Sequence, residues 1–271
     1  MTLQKGQKLL NYKMEITITI DEHMKALEIS NDKQEIHKDK DVAAEFLKRE
    51  GLVLQGVHPL SLLESSASPI ADHYFLKLKN LKFELPVAIK DKVNLKYDFE
   101  VIQDNPFYLY DITIMESDRK ILTGKIYTTD HYGVYKEIFS RNKNFYEIFK
   151  LDTNKERPRL TDLLIKENII DDYCKVMHMD RKKYHNKYGD CISAMLANFL
   201  IPAKLTDALG LKNKTYIFRE QNIELYSEGI YNNKLEIFGD KRERSDSCKF
   251  ELMIKNFNNN LFGNKTYAWA I

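Results

Sequence analysis

The stretch SNDKQEIH at Ser30–His37, followed by GVHPL at Gly56–Leu60, decides how this 271-residue chain is interpreted. Asp32 and His37 lie in a polar segment, and Gly56 stands where an apolar helix is predicted to begin. Asp and His can both exchange protons near neutral pH in a partly buried site, and a main-chain N–H at the start of a helix favours negative charge. The stretch therefore predicts an acid–base site with a main-chain donor beside it.

The residues around the motif predict an α+β unit. Alternating isoleucines before it indicate a strand, and Asp21 then caps a first helix. A second helix is predicted over Val42–Glu50, capped by Asp39 or Asp41, and the helix after the motif glycine ends at Pro69. A helix followed by antiparallel strands suits a curved sheet wrapped around one helix. The strand candidates are 74–78, 81–85, 93–102, 108–116 and 121–128.

The second part of the chain repeats this pattern. Ile169–Met179 is similar to the first helix, Asp180 and His185 repeat the spacing of the motif, and a second apolar helix includes Phe199. Strand candidates follow at 215–218, 223–226, 234–238, 249–254 and 265–269. We therefore expect an N-terminal unit at 1–130, a connecting segment at 131–165 whose aromatic residues pack on the sheets, and a degenerate C-terminal unit at 166–271.

The bulk composition excludes several classes of protein. The net charge is +2, from 42 basic and 40 acidic residues, and no stripe of one sign indicates nucleic acid binding. Three widely spaced cysteines suggest neither a disulfide framework nor a CxxC metal site. No apolar run is long enough for a signal peptide or a membrane span, so we expect a cytoplasmic protein without a membrane partner.

Asp32–His37, the segment around Gly56 and the run from Phe83 to Asp91 (FELPVAIKD) carry a family resemblance. Together they resemble the MaoC-like R-specific enoyl-CoA hydratases, also called hydratase 2, over roughly residues 15–128. The aspartate, the aliphatic residue and the histidine of the family motif match. The chain departs from the family at four positions: Asn31 replaces a glycine, Gln34 an asparagine, Glu35 a proline and Gln55 a histidine.

The resemblance implies a hot-dog fold, here a double hot-dog in which the second, degenerate half shapes an acyl pocket. It also implies that Asp32 and His37 are catalytic and hold a water molecule, while the Gly56 N–H polarises the thioester carbonyl. Glu64 is a further candidate for substrate binding. The expected reaction is hydration or dehydration of an enoyl or 3-hydroxyacyl thioester carried on CoA or acyl carrier protein. No metal or redox cofactor is implied, and a homodimer of double hot-dogs is an expected assembly.

Two other functions compete with this interpretation. The first is an acyl thioesterase in which Glu64 activates water, since a carboxylate at this position is what hot-dog thioesterases use. The second is a module that binds an acyl group or a protein partner without catalysis. Asp180 and His185 stand among Lys and Arg, where a solvated helix face is the simpler explanation, and His58 is more simply a residue of a helix start.

Overall fold

The computed structural model describes residues 8–104, 106–131, 156–188, 191–193, 195–201, 216–225, 230–231, 235–244, 247–256 and 259–270. Its helices are α1 (Ile20–Ser30), α2 (Lys40–Leu47), α3 (Val57–Ser61), α4 (Glu167–Val176) and α5 (Arg181–Tyr188), and residues 195–201 are also helical. Its strands are β1 (Lys8–Thr19), β2 (Leu52–Val53), β3 (Tyr74–Phe83), β4 (Ala88–Ile89), β5 (Lys92–Asp104), β6 (Phe107–Glu116), β7 (Arg119–Thr129), β8 (Arg159–Leu163), β9 (Cys191–Ile192), β10 (Tyr216–Leu225), β11 (Ile230–Tyr231), β12 (Leu235–Glu243), β13 (Ser247–Asn256) and β14 (Asn259–Ala270).

Ten of these strands form one antiparallel sheet in the order β1-β5-β6-β7-β3-β10-β14-β13-β12-β8. Strands β3 and β10 join the two halves, and each half has the same order outward from that junction. Strand β8 therefore corresponds to β1, and β10 corresponds to β3. The predicted internal repeat and the predicted α+β double hot-dog fold are both confirmed.

One hydrophobic core extends through both halves beneath the sheet. It includes α3 in the first half and the helical residues 195–201 in the second, whose apolar side chains are almost fully buried. The Tyr97 hydroxyl on β5 donates a hydrogen bond of 2.9 Å to the Pro59 carbonyl and so ties the central helix to the sheet. Among the helices within the described ranges, none combines the length and the apolar composition that a membrane crossing requires.

The strand at the junction is longer than the sequence predicted. The gap between the strand candidates 74–78 and 81–85 predicts a turn at Asn80, but β3 is continuous and contains Asn80 as an irregularity with a left-handed φ of 51°. The Asn80 N–H donates to Asn222 Oδ1 on β10 at 2.7 Å, so this irregularity forms a hydrogen bond between the two halves. Likewise β10 replaces two predicted strands.

Several predicted boundaries also differ from the structure. Helix α1 is capped by Thr19 in a capping box with Glu22 and not by Asp21. Helix α2 is capped by Asp39, one of the two predicted caps, but it ends at Leu47, before the predicted Glu50. The helix after the motif glycine is short: α3 ends at Ser61 and one 3-10 turn follows. Strand β8 falls in the predicted connecting segment but pairs with β12, and most of that segment lies outside the described residues.

Candidate active site

The end of α1 places Asp32. Asn31 adopts a left-handed conformation with φ 54°, its N–H bonds to the Glu28 carbonyl at 3.1 Å, and the Asp32 N–H bonds to the Leu27 carbonyl at 3.0 Å. This helix ending favours glycine, and asparagine is the next best residue, so the departure from the family glycine preserves the turn. Asp32 is 2% exposed, and its Oδ1 accepts the Gln34 N–H at 3.0 Å.

A 3-10 turn at Glu35–His37 turns the histidine toward that carboxylate. His37 Nδ1 lies 2.7 Å from the Val53 carbonyl oxygen. Because a carbonyl oxygen only accepts, Nδ1 carries the proton and Nε2 of the neutral ring is an acceptor. His37 Nε2 lies 3.8 Å from Asp32 Oδ2. The structure therefore brings the two predicted catalytic side chains together, with a gap too long for a direct hydrogen bond.

Gln55 and Gly56 complete this wall of the site. Gln55 Nε2 donates to Asp32 Oδ2 at 2.8 Å and contacts Ser30 Oγ at 3.4 Å, which the sequence did not predict. Gly56 is the N-cap of α3 with φ −59° and ψ −31°, and its N–H donates to no acceptor within the described ranges. A methyl group at Gly56 would lie 3.2 Å from the Phe83 ring, so the position is closely packed.

An open cavity of about 820 Å³, including the part continuous with solvent, lies against these residues. Its walls are largely apolar, and both halves contribute to them. Tyr216, Ile217 and Phe218 come from β10 of the second half. The lining residues of the first half are Asp32, Gln34, His37, Phe46, Val53, Leu54, Gln55, Gly56, Pro59, Phe83, Glu84, Leu85, Pro86, Val87, Ile121 and Leu122.

Glu64 lies elsewhere, in the contact between the two halves. Its carboxylate is 2% exposed and accepts hydrogen bonds from Tyr173 at 3.0 Å, Tyr188 at 3.0 Å and Ser193 at 2.7 Å. Burial raises the pKa of Glu64. Because Glu64 does not line the cavity and both its oxygens are occupied by donors of the second half, the structure does not bring it together with Asp32 and His37.

The repeated motif in the second half has a different structure. Asp180 is exposed, and its Oδ1 accepts the main-chain N–H groups of Lys182 at 2.7 Å and Lys183 at 3.2 Å, so it caps α5. His185 is exposed on the same helix. The simpler interpretation of this pair, a solvated helix, is confirmed, and Gly189 lies outside the described residues.

His58 and His23 are buried behind the site rather than in its wall. The His58 ring packs edge-on against Phe199 at 6.4 Å between ring centroids, and burial lowers its pKa to about 3. His23 Nε2 donates to the His37 carbonyl at 3.1 Å, and burial lowers the pKa of His23 to about 4. Both rings are neutral at physiological pH, and His23 supports the main chain of His37.

The fold and this site define a class: a double hot-dog protein with a buried Asp–His pair beside an apolar cavity. No protein-family model matches the sequence, and no curated protein matches it. The structure is similar to a MaoC-like dehydratase, with a TM-score of 0.62 and 11% identity over 96% of this chain and 97% of that chain.

Two further solved structures have the same architecture. A conserved hypothetical protein from Mycobacterium tuberculosis, described as a double hot-dog, has a TM-score of 0.67 and 10% identity over 99% of this chain and 97% of that chain. A MaoC-like dehydratase from Phytophthora capsici has a TM-score of 0.60 and 9% identity over 95% and 94%. At these identities the comparisons confirm the resemblance at the level of the fold.

Proposed function

We propose that the protein is a hydro-lyase that adds water to enoyl thioesters or removes it from 3-hydroxyacyl thioesters. The observation that carries this proposal is the pair Asp32 Oδ2 and His37 Nε2, 3.8 Å apart at the wall of one apolar cavity. The separation suits a water molecule that donates one O–H to each atom. The cavity offers an apolar surface for an acyl chain, and the fold is one that MaoC-like dehydratases share.

In the hydration direction, the water oxygen forms a bond to C3 while the C2–C3 π electrons move toward the thioester carbonyl. His37 Nε2 takes a proton from the water, and the Asp32 carboxylate stabilises the resulting imidazolium. The Gly56 N–H is the nearby main-chain donor for the enolate oxygen. The imidazolium then returns its proton to C2. Dehydration is the same sequence reversed, and the balance requires neither a metal nor a redox cofactor.

The second half contributes to the acyl site, although its own Asp180 and His185 are exposed. Ile217 and Phe218 line the cavity, and the Phe218 ring lies 5.8 Å from the Phe83 ring of the first half. Both rings therefore contact an acyl chain that occupies the cavity. The substrate is carried as a thioester on CoA or acyl carrier protein.

The test compares matched pairs of aspartate and histidine variants in the hydration of a trans-2-enoyl-CoA, followed by loss of the enoyl absorbance. Asp32→Asn and His37→Asn should each lower kcat by about 10²–10⁴-fold. The asparagine at position 37 can still donate to the Val53 carbonyl, which protects the fold. Asp180→Asn and His185→Asn, which alter the exposed pair with the same spacing, should retain the wild-type rate.

Wild-type hydration rates in both Asp32→Asn and His37→Asn would refute the proposal. Tight binding of acyl-CoA by the wild-type protein without turnover, over a range of chain lengths, would instead support a binding module. The thioesterase alternative relied on Glu64, whose carboxylate lies outside the cavity. The thioesterase alternative would be supported if the protein released free thiol from acyl-CoA, and if this release were lost in Glu64→Gln and unchanged in Asp32→Asn.

A further inference from the structure

Gln55 has a fixed orientation and an unused oxygen. The side chain is 3% exposed, and its Nε2 donates to Asp32 Oδ2 at 2.8 Å. Because an ionised carboxylate only accepts, the amide nitrogen must face Asp32 and cannot exchange places with the oxygen. Gln55 Oε1 is buried and has no hydrogen-bond donor among the described residues. Leaving a buried acceptor without a donor is unfavourable, so a partner supplied by a ligand is favoured.

Three of the polar side chains that line the cavity, those of Asp32, His37 and Gln55, are acceptors toward a ligand. Asp32 is an acceptor as a carboxylate. His37 Nε2 is an acceptor because Nδ1 holds its proton against the Val53 carbonyl. Gln55 Oε1 is an acceptor because Nε2 is committed to Asp32. Such a set matches a ligand group that donates and is unfavourable for one that only accepts.

We propose that Gln55 is a specificity-determining and positioning residue that selects a hydroxyl group over a carbonyl at C3 of the acyl chain. Its Nε2 holds Asp32 in place, and its Oε1 accepts the hydrogen bond of the substrate hydroxyl or of the attacking water. The site therefore prefers 3-hydroxyacyl thioesters to 3-oxoacyl thioesters of equal length. This inference rests on the proposed function, because it places the reacting carbon beside Asp32 and His37.

The first experiment measures binding by calorimetry to the inactive His37→Asn protein. The ligands are 3-hydroxyacyl-CoA, 3-oxoacyl-CoA and saturated acyl-CoA with the same number of carbons. The 3-hydroxy compound should bind about tenfold or more tightly than the other two, which is the effect of one buried acceptor gaining its donor. In His37→Asn combined with Gln55→Met, a side chain of similar length without polar atoms, the preference should fall to about twofold or less.

A second experiment separates positioning from packing. Gln55→Glu keeps the length of the side chain but places a second carboxylate against Asp32, which favours protonation of the pair. The acid limb of the pH profile of kcat/KM should move to higher pH by more than it does in Gln55→Met, where kcat falls but only the amide that donates to the carboxylate is lost. A residue that only fills space would shift neither the acid limb nor the ligand preference.

Equal binding of the 3-hydroxy and 3-oxo compounds by the protein with Gln55 in place would overturn the inference, and this measurement does not depend on the folding of any Gln55 variant. An undiminished preference in the Gln55→Met protein would also overturn it. With either of these binding results, the proposed function still stands if the Asp32→Asn protein no longer hydrates the enoyl thioester. If Asp32→Asn and His37→Asn both hydrate at the wild-type rate, the proposed function itself is wrong.

Discussion

Acid should destabilise this protein through two buried histidines, and replacing one of them should remove half of the effect. His58 and His23 have folded-state pKa values of about 3 and about 4, against 6.5 for an unperturbed histidine, because burial disfavours their charged forms. A lowered pKa in a base means that the unfolded chain binds more protons below pH 6.5. The stability that these residues contribute is therefore complete above that pH and is lost as the pH falls toward the folded-state values.

The size of the effect follows from these pKa values. At about pH 5.0 the unfolded state gains RT ln(1 + 10^1.5), about 2 kcal/mol, from each histidine, while the folded state gains almost nothing. The two residues together should lower the free energy of unfolding by about 4 kcal/mol between about pH 7.5 and about pH 5.0. In His58→Leu the corresponding loss should be about 2 kcal/mol smaller, because only His23 remains.

Urea unfolding followed by circular dichroism at both pH values measures this difference. The comparison is made within each variant, so any change in packing from His58→Leu cancels to first order. His185→Gln, which removes an exposed histidine of α5, controls for the loss of an imidazole elsewhere and should behave as the wild type does. An unchanged loss of stability in His58→Leu would show that the buried ring is not held neutral and would refute the reasoning.

Two other predictions concern the packing of the sheet and the halves. Glu64→Gln should lower the free energy of unfolding by about 1–3 kcal/mol, because three hydroxyl donors lose their carboxylate, while kcat for hydration per folded molecule stays unchanged. A loss of kcat at unchanged stability would contradict this. Gly124→Ala should destabilise the fold by about 1–3 kcal/mol in the same unfolding assay, because the new methyl would lie 2.6 Å from Leu81 Cδ2. A free energy of unfolding equal to that of the wild type would show that β3 and β7 move apart to make room for the methyl group.

The sequence predicted the fold class because its signals were local and repeated. The strand candidates and the second copy of the helix–strand pattern follow from hydrophobic periodicity, and the structure keeps both. The internal repeat was informative because two copies of one unit bury more apolar surface together than either copy buries alone. Strand β3 pairs with β10, so the strands of the two halves form one continuous sheet.

The failures of sequence reasoning lie where distant residues decide the outcome. Asn80 has the composition of a turn, but Asn222, far away in the sequence, accepts its N–H and keeps the strand continuous. Glu64 resembles a pocket carboxylate by position in its segment, and only the packing of α4 and α5 against it reveals its hydroxyl partners. No periodic pattern in one segment reports a partner of this kind.

Gln55 was missed for a related reason. In the sequence it stands only as a departure from the family histidine, and its contact with Asp32 depends on the main-chain path from α1 to β2. The recognisable signal is that a polar residue stands between an apolar run and a glycine. A buried amide needs partners, and the carboxylate of the motif was the nearest candidate.

The departures from the family motif are compatible with a working site because each one meets the local requirement in another way. Asn31 adopts the left-handed conformation that a glycine would provide. Glu35 begins a 3-10 turn, where a proline is tolerated but no proline is needed. Gln34 contributes its main-chain N–H to Asp32, and its side-chain Oε1 accepts the N–H of Tyr216 at 2.9 Å.

This last contact ties the second half of the chain to the loop that carries Asp32. Tyr216 begins β10, the strand that carries the second half's contribution to the cavity wall, and its N–H holds the loop that presents Asp32. The same strand pairs with β3 of the first half. A half whose own Asp180 and His185 are exposed is therefore tied to the loop, to the sheet and to the cavity at once. The duplicated unit orders the site from outside, so the first half alone would lack both a wall of its cavity and a support for its carboxylate.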